Sequence, residues 1–382
     1  RETLIGLNES FAGAVCPEDV FGRLCGTASE QRTMLRAVFA KLSRSCHPDL
    51  VADAEKPMAE AAFSRLTDWK QQADLKLAAG TYGDRRPAAP PAPTFAPIEL
   101  WVRDQRLFLN RLIAEGTFAT VYGAEYEGCD TGTVFVKIAR EAADSDFLTR
   151  EIAALRRLHE SHPDPDAERF LQEQRAYVPH PLTSFTIADF ATGEKRRGTV
   201  LSVPEGRCFT VEALRRDKFP DGVEPQHAYW IFRRLLLTLW MAHLQGIVHG
   251  AVTPDHVLVY PEEHGIVLLD WTCTAQIGTE TVPALNPAFA SHFPPEVARR
   301  EAATPALDLY GAAATILTLL GGDPATGWVP ARVPAPVAAA LESCLAPSPR
   351  RRPQDAEAFH NAFGTILESV HGRRTYAHFA VS

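Results

Sequence analysis

The sequence predicts an α+β protein: a short all-helical region, then a longer one that opens with strands and ends in helices. Three observations carry this expectation. Before residue 80, apolar residues recur at helical spacing. Residues 84–97 read DRRPAAPPAPTFAP, and their five prolines remove backbone donors and favour extended conformations, as in a semi-rigid linker. Beyond them, short alternating runs such as Thr133-Val134-Phe135-Val136-Lys137-Ile138 precede long apolar helical stretches.

Composition bounds the answer. A chain of 382 residues is long enough for two domains, one of them large. Its apolar share of 46% and charged share of 23% are those of an ordinary soluble globular protein. A net charge of −8 argues against general nucleic-acid binding, which needs a basic face. The seven cysteines are odd in number and scattered, with no CxxC pair. That argues against a disulfide framework or a structural zinc site, and for a reducing compartment. The longest apolar runs, 235–244 and 309–320, fall short of the roughly 20 residues a membrane span needs. The opening residues lack a basic region followed by an apolar core. A cytoplasmic protein with no membrane partner is therefore expected.

In chain order, residues 29–45 form the first expected helix, with Ser29 as N-cap and Leu35, Val38, Phe39 and Leu42 as its apolar stripe. Arg36, Lys41 and Arg44 fall on its other side. Residues 58–79 form the second, with Ala62, Phe63, Leu66, Trp69, Ala73 and Leu77 on one side and Gly80 and Gly83 as stop signals. The two helices can pack as an antiparallel hairpin. After the linker, 111–123 and 132–139 are read as strands separated by a turn at 128–130. Residues 146–160 are helical, and Glu151 sits inside their apolar stripe of Phe147, Ala154, Leu155 and Leu158. A strong apolar helix follows at 227–245, a hairpin at 257–260 and 266–269, and helices from 307 onward.

Several local signals occur in one order. Ile113-Ala114-Glu115-Gly116-Thr117-Phe118-Ala119-Thr120-Val121 resembles a glycine-rich phosphate loop in which only the middle glycine remains. Lys137 lies on a strand, and a carboxylate such as Glu151 in an apolar stripe needs a cation opposite it. Val248-His249-Gly250-Ala251-Val252-Thr253-Pro254-Asp255-His256 resembles the pattern H-R-D-L-K-P-E-N, and Asp270-Trp271-Thr272 stands where D-F-G would follow. Pro294-Pro295-Glu296 resembles A-P-E, Asp308 sits on a helix that would support the loop, and Arg352 lies in a late motif that would pair with Glu296. Together these identify residues 98–370 as resembling the protein-kinase family. The resemblance implies a small strand-rich lobe at about 98–203, a large helical lobe at about 204–370, and a cleft between them.

By the same resemblance, Gly116, Val121, Lys137, Glu151 and Asp270 form a nucleotide-binding set for ATP, with Asp270 as the Mg2+ ligand. The retained charges fit either ATP binding or an ion pair that holds the lobes together. The catalytic loop departs from the family. The proton-accepting Asp is replaced by Ala251, and the metal-binding Asn by His256. General base catalysis is worth about 10²–10⁴-fold, and alanine has no acceptor. Asp255 is the nearest alternative base. His256 could accept a proton or bind a metal, although Mg2+ prefers oxygen. A pseudokinase is the expectation.

Ahead of the linker, Glu18-Asp19-Val20-Phe21-Gly22-Arg23-Leu24-Cys25-Gly26, the basic helix and the His47-Pro48-Asp49 turn resemble a J domain of the DnaJ type. The resemblance covers residues 18–80 and departs at Lys70, where tyrosine is common. It implies that His47, Pro48 and Asp49 contact a DnaK-type heat-shock chaperone. Arg36, Lys41 and Arg44 would then offer a complementary positive face. The full expectation is a two-lobed protein-kinase-like fold preceded by an all-α J-domain-like hairpin. Its function would be a non-catalytic adaptor or co-chaperone for an unidentified protein client, with an atypical active Ser/Thr kinase or other nucleotide-dependent transferase as the alternative.

Overall fold

The computed structural model describes residues 4–14, 16–22, 24, 27–52, 55–79, 82, 98–127, 133–188, 193–372 and 376–381. The chain divides into two compact units, Arg1–Thr94 and Phe95–Ser382. The linker expected at 84–97, the turn expected at 128–130, and Arg23, Cys25, Gly26, Gly80 and Gly83 lie outside the described residues.

The first unit contains α1 (Leu4–Gly13), α2 (Pro17–Phe21), α3 (Ala28–Cys46) and α4 (Lys56–Ala79). Thr27, not Ser29, caps α3. Its hydroxyl accepts the Glu30 N–H, while the Glu30 carboxylate accepts the Thr27 N–H at 2.7 Å. The reason is spacing: a capping box needs an acid three residues on, and only Thr27 has one. The helical region is also more than a two-helix hairpin. Leu7 and Phe11 of α1 are buried with Leu35, Ala62, Leu66 and Ala73. The Trp69 indole N–H donates to the Phe11 carbonyl at 3.1 Å, and Arg65 donates to Asn8 at 2.6 Å. Leu4, Leu7 and Phe11 at helical spacing are the signal for α1 that the sequence reading passed over. Lys76 meets the buried carboxylate of Glu18 at 2.8 and 3.0 Å, tying α2 to α4.

The second unit begins with β1 (Ile98–Val102), β2 (Gln105–Glu115), β3 (Ala119–Tyr126) and β4 (Val134–Ala139). Helices α5 (Ser145–His159) and α6 (Pro165–Gln174) follow, then β5 (His180–Ala188) and β6 (Lys195–Ser202). These six strands form one antiparallel sheet in the order β1-β2-β3-β4-β6-β5. The single run expected at 111–123 is therefore two strands. Gly116 closes the turn between them, its N–H donating to the Ala119 carbonyl at 2.9 Å.

The remainder is mostly helical. It contains β7 (Phe209–Thr210), α7 (Val211–Ala213), α8 (Pro225–Leu244), β8 (Ile247–Val248), β9 (Val257–Tyr260), β10 (Gly265–Leu268) and β11 (Ala275–Gln276). Four further helices close it: α9 (Pro295–Ala298), α10 (Pro305–Leu319), α11 (Ala335–Cys344) and α12 (Ala356–His371). Helix α8 is central because nearly every side of it is apolar, and Phe232, Leu235, Leu236 and Leu239 are fully buried among α10, α11 and α12. The C-terminal segment, which carries no readable motif, contributes to this core. Phe379 is buried and stacks on His227 at 4.4 Å. Among the described residues, no helix is long and apolar enough to cross a membrane.

Candidate nucleotide site and catalytic loop

Strand β4 places Lys137 beside Val121 of β3 on one side and Thr199 of β6 on the other. Lys137 is buried, and its ammonium lies 2.8 Å from the Glu151 carboxylate and 3.4 Å from that of Asp270. Glu151 reaches it from the buried side of α5 and also accepts the Trp271 N–H at 3.3 Å. One ammonium thus serves two carboxylates. Burial opposes the charge of Lys137, but Asp270 and Glu151 outweigh it and hold its pKa above the ordinary value. Burial also works against ionised Asp270, yet Lys137, His256 and the Thr272 hydroxyl keep its carboxyl well below the usual range. At fully buried Glu151, desolvation wins and its carboxyl is pushed up despite Lys137.

Asp270 sits at φ 58°, a left-handed conformation unusual for a residue other than glycine. Two contacts hold it there. Its carboxylate accepts the Thr272 hydroxyl at 2.6 Å and the Thr272 N–H at 3.3 Å. The next residue, Trp271, is wholly buried, donates its indole N–H to Leu268 at 2.9 Å, and meets the edge of His249 at 4.6 Å.

The loop at 248–256 is held by its backbone. Asp308 of α10 accepts the N–H groups of His249 and Gly250, each at 2.9 Å, and His243 lies 2.9 Å from the same carboxylate. His249 Nε2 stands 2.8 Å from the Leu269 carbonyl, and its Nδ1 accepts the Ala251 N–H at 3.2 Å. A carbonyl only accepts, so Nε2 carries the proton and the ring is neutral. Burial accounts for this, holding the His249 pKa at about 4.

Ala251 is buried, and its side chain belongs to an apolar cluster with Val248, Cys273, Val282 and Val297. At Gly250, with φ 84°, an added Cβ would run into the Cys273 carbonyl oxygen. Downstream, Asp255 accepts the Thr253 hydroxyl at 2.6 Å. His256 Nδ1 lies 2.8 Å from the Ala251 carbonyl, which requires a proton on that nitrogen. Its Nε2 faces Asp270 at 3.4 Å and Asp255 at 3.6 Å.

This donor set fits Mg2+ poorly. A hard cation needs oxygen ligands, and here an imidazole stands between the two carboxylates. Among the described residues, no group of three or more His, Cys, Asp or Glu side chains could hold a metal ion.

The glycine loop spends its polar groups internally. The Gly116 N–H serves the β2–β3 turn, and its carbonyl accepts from Arg140 at 3.1 Å. The methyl of Ala119 is buried near Ala139 and Leu148 rather than lining an open loop. Phe118 stacks on Phe147 of α5 at 3.8 Å, joining the loop tip to the helix that carries Glu151. Elsewhere, Glu296 and Arg352 form a buried two-armed pair, with one arm at 3.0 Å. Sequence reasoning missed Thr253, Thr272 and the Phe118–Phe147 stack. The hydroxyls two residues before Asp255 and two after Asp270 were the available signal, because Ser and Thr bond nearby acids readily.

In the first unit, His47 ends α3 and its ring meets the edge of Phe63 of α4 at 5.0 Å. Pro48 opens a single 3₁₀ turn, Pro48–Leu50, closed by the Leu50 N–H on the His47 carbonyl at 3.0 Å. The side chain of Asp49 lies outside the described residues. Arg36, Lys41 and Arg44 are exposed on α3.

No family model matches the chain. It is similar to the serine/threonine-protein kinase PknL of Mycobacterium bovis, 26% identical over 243 residues, covering 62% of this chain and 54% of that protein. It is also similar to CBL-interacting protein kinase 4 of Oryza sativa subsp. japonica, 28% identical over 226 residues, covering 56% and 44%. Ribosomal protein S6 kinase alpha-2 of Mus musculus is 24% identical over 200 residues, covering 51% and 25%. The chain spans about half the length of the first of these relatives, or less. The mixed fold with its curled antiparallel sheet and these relatives named as kinases together support a protein-kinase-like family for this chain.

Proposed function

We propose that the second unit is a pseudokinase that binds a protein partner, and that the first is a J-like module recruiting a DnaK-type chaperone to it. The observation that carries the pseudokinase reading is the placement of residue 251. Asp308 holds the loop backbone in position, yet the side chain at the base position is a methyl group packed into an apolar cluster. Lys137 and Asp270 remain able to meet the phosphates of ATP, and binding without turnover would make the unit a nucleotide-sensing scaffold. The Mg2+ role expected of Asp270 is opposed by His256, whose ring nitrogen stands 3.4 Å from that carboxylate where the family has an oxygen ligand.

The chaperone reading rests on the His47-Pro48 turn between α3 and α4, with Arg36, Lys41 and Arg44 exposed on the first of these helices. Electrostatic guidance of this kind acts mainly on association rate. A client bound by the second unit would then be presented to the recruited chaperone.

Incubation with labelled ATP and Mg2+ tests the first half. Label incorporation no greater than that of Lys137→Ala or Asp270→Ala is expected, and incorporation by wild type alone would overturn the pseudokinase reading. Chaperone ATPase should rise with wild type and not with His47→Gln, and no rise with wild type sinks the J-like reading. A thermal shift on adding ATP reports nucleotide binding separately, since a ligand of the folded state must stabilise it.

An active Ser/Thr kinase remains the second reading, favoured by the partly exposed Asp255 carboxylate beside His256. It requires label transfer that Asp255→Asn abolishes.

A further inference from the structure

Away from Lys137, helices α8 and α12 border a cavity of about 870 Å3, within the size range of small-molecule sites. Helix α8 contributes Tyr229, Trp230, Arg233 and Arg234, and Arg332 joins them from the segment between α10 and α11. Glu224 is the sole carboxylate among the described lining residues, against three arginines. The wall is therefore positive in a chain whose net charge is −8.

A second observation points to a ligand. Tyr229 is only 4% exposed, and its hydroxyl has no hydrogen-bond partner among the described residues. The neighbouring Trp230 indole N–H is also buried without one. A buried donor left unsatisfied is destabilising, so two on consecutive residues of one wall are costly unless something else accepts from them. Arg332 is anchored by the carbonyls of Asp221 and Leu320, neutral acceptors that fix the guanidinium without cancelling its charge. Arg233 also donates to the His360 carbonyl at 3.1 Å. Burial pushes the Tyr229 hydroxyl up to about 12, against the pull of Arg332, so it keeps its proton at neutral pH. An indole N–H and guanidinium groups only donate, so the complementary ligand is an acceptor with negative charge. Leu237 and Leu367 add apolar surface for a ligand body.

We propose that this cavity binds a small organic anion, a phosphate or carboxylate on an aromatic or aliphatic body. Tyr229 Oη and Trp230 Nε1 donate to it, and Arg332 supplies the charge. This goes beyond the pseudokinase reading and does not depend on it.

Isothermal titration of the full chain with phenyl phosphate and with phenylacetate tests the proposal. Saturable binding with a dissociation constant below about 1 mM is expected for at least one of them. Preference for phenyl phosphate assigns a phosphate ligand, and the reverse preference a carboxylate. Tyr229→Phe and Trp230→Phe should each weaken binding about tenfold. Tyr229→Phe should not lower the melting temperature of the free chain, because it removes a hydroxyl that has no partner. Binding of neither probe, or binding unchanged in both variants, overturns the assignment.

Discussion

Glu151 meets Lys137 through one carboxylate oxygen at 2.8 Å, while its other oxygen is buried with no partner among the described residues. The pair is thus half satisfied. A half-satisfied buried pair adds little net stability, and removing Glu151 leaves Lys137 with Asp270 at 3.4 Å. Glu151→Ala should lower the unfolding free energy of the second unit by about 2 kcal/mol, the loss of one hydrogen bond to a charged group, measured by urea denaturation. A cost below about 1 kcal/mol for this variant would show that the pair is not structural.

The Arg352–Glu296 pair lies equally deep, with side-chain exposures of 0% and 3%, and Arg352 also donates to the Ala346 and Pro347 carbonyls. Lysine keeps the charge but cannot reproduce the fork. Arg352→Lys is expected to cost about 3 kcal/mol by the same denaturation measurement. A neutral result would mean that the charge, not the geometry, is what matters there.

Restoring an acid at residue 251 should not restore chemistry. Ala251→Asp would bury a carboxylate among Val248, Cys273 and Val297 with no cation opposite it. A lower unfolding free energy without label transfer from ATP is expected. Label transfer by this single variant would show that the side chain can reach the cleft.

Neutral His249 gives stability a definite pH dependence. Its folded pKa of about 4 lies below the ordinary 6.5 because the ring is buried. Above pH 6.5 the ring is neutral in both states and its contribution is fully present. As pH falls towards 4, the unfolded chain takes up a proton that the folded chain refuses. Stability therefore declines by about 1.4 kcal/mol per unit, roughly 3 kcal/mol in all. Below pH 4 this contribution is flat. Urea midpoints between pH 7 and 4 should show the slope, reduced in His249→Phe. His292, also held at about 4 by burial, retains its own share. An unchanged slope would show that His249 is charged in the folded state.

The kinase-like landmarks were legible because each is local: a strand Lys, a Glu inside an apolar stripe, an Asp after a hairpin. Even the pairing of Glu296 with Arg352 followed from motif order. Other features were not legible because they depend on atoms distant in sequence. The Phe118–Phe147 stack joins a loop to a helix, and His256 comes to face Asp270 only because β9 and β10 pair. Helix α1 was readable by spacing, but its partner surface on α4 was not.

The sequence by itself determined that position 251 lacks a base, that position 256 lacks an oxygen ligand, and where the main helices and fewer than half of the strands run. Periodicity and side-chain chemistry are properties of the chain, so they survive without coordinates. Only the tertiary structure decided where those substitutions point. The Ala251 methyl is turned into an apolar cluster, the His256 ring stands between two carboxylates, and the Tyr229 hydroxyl is left buried without an acceptor. Each of these depends on which distant groups are brought within contact range and which are shut away from water, and packing alone sets that.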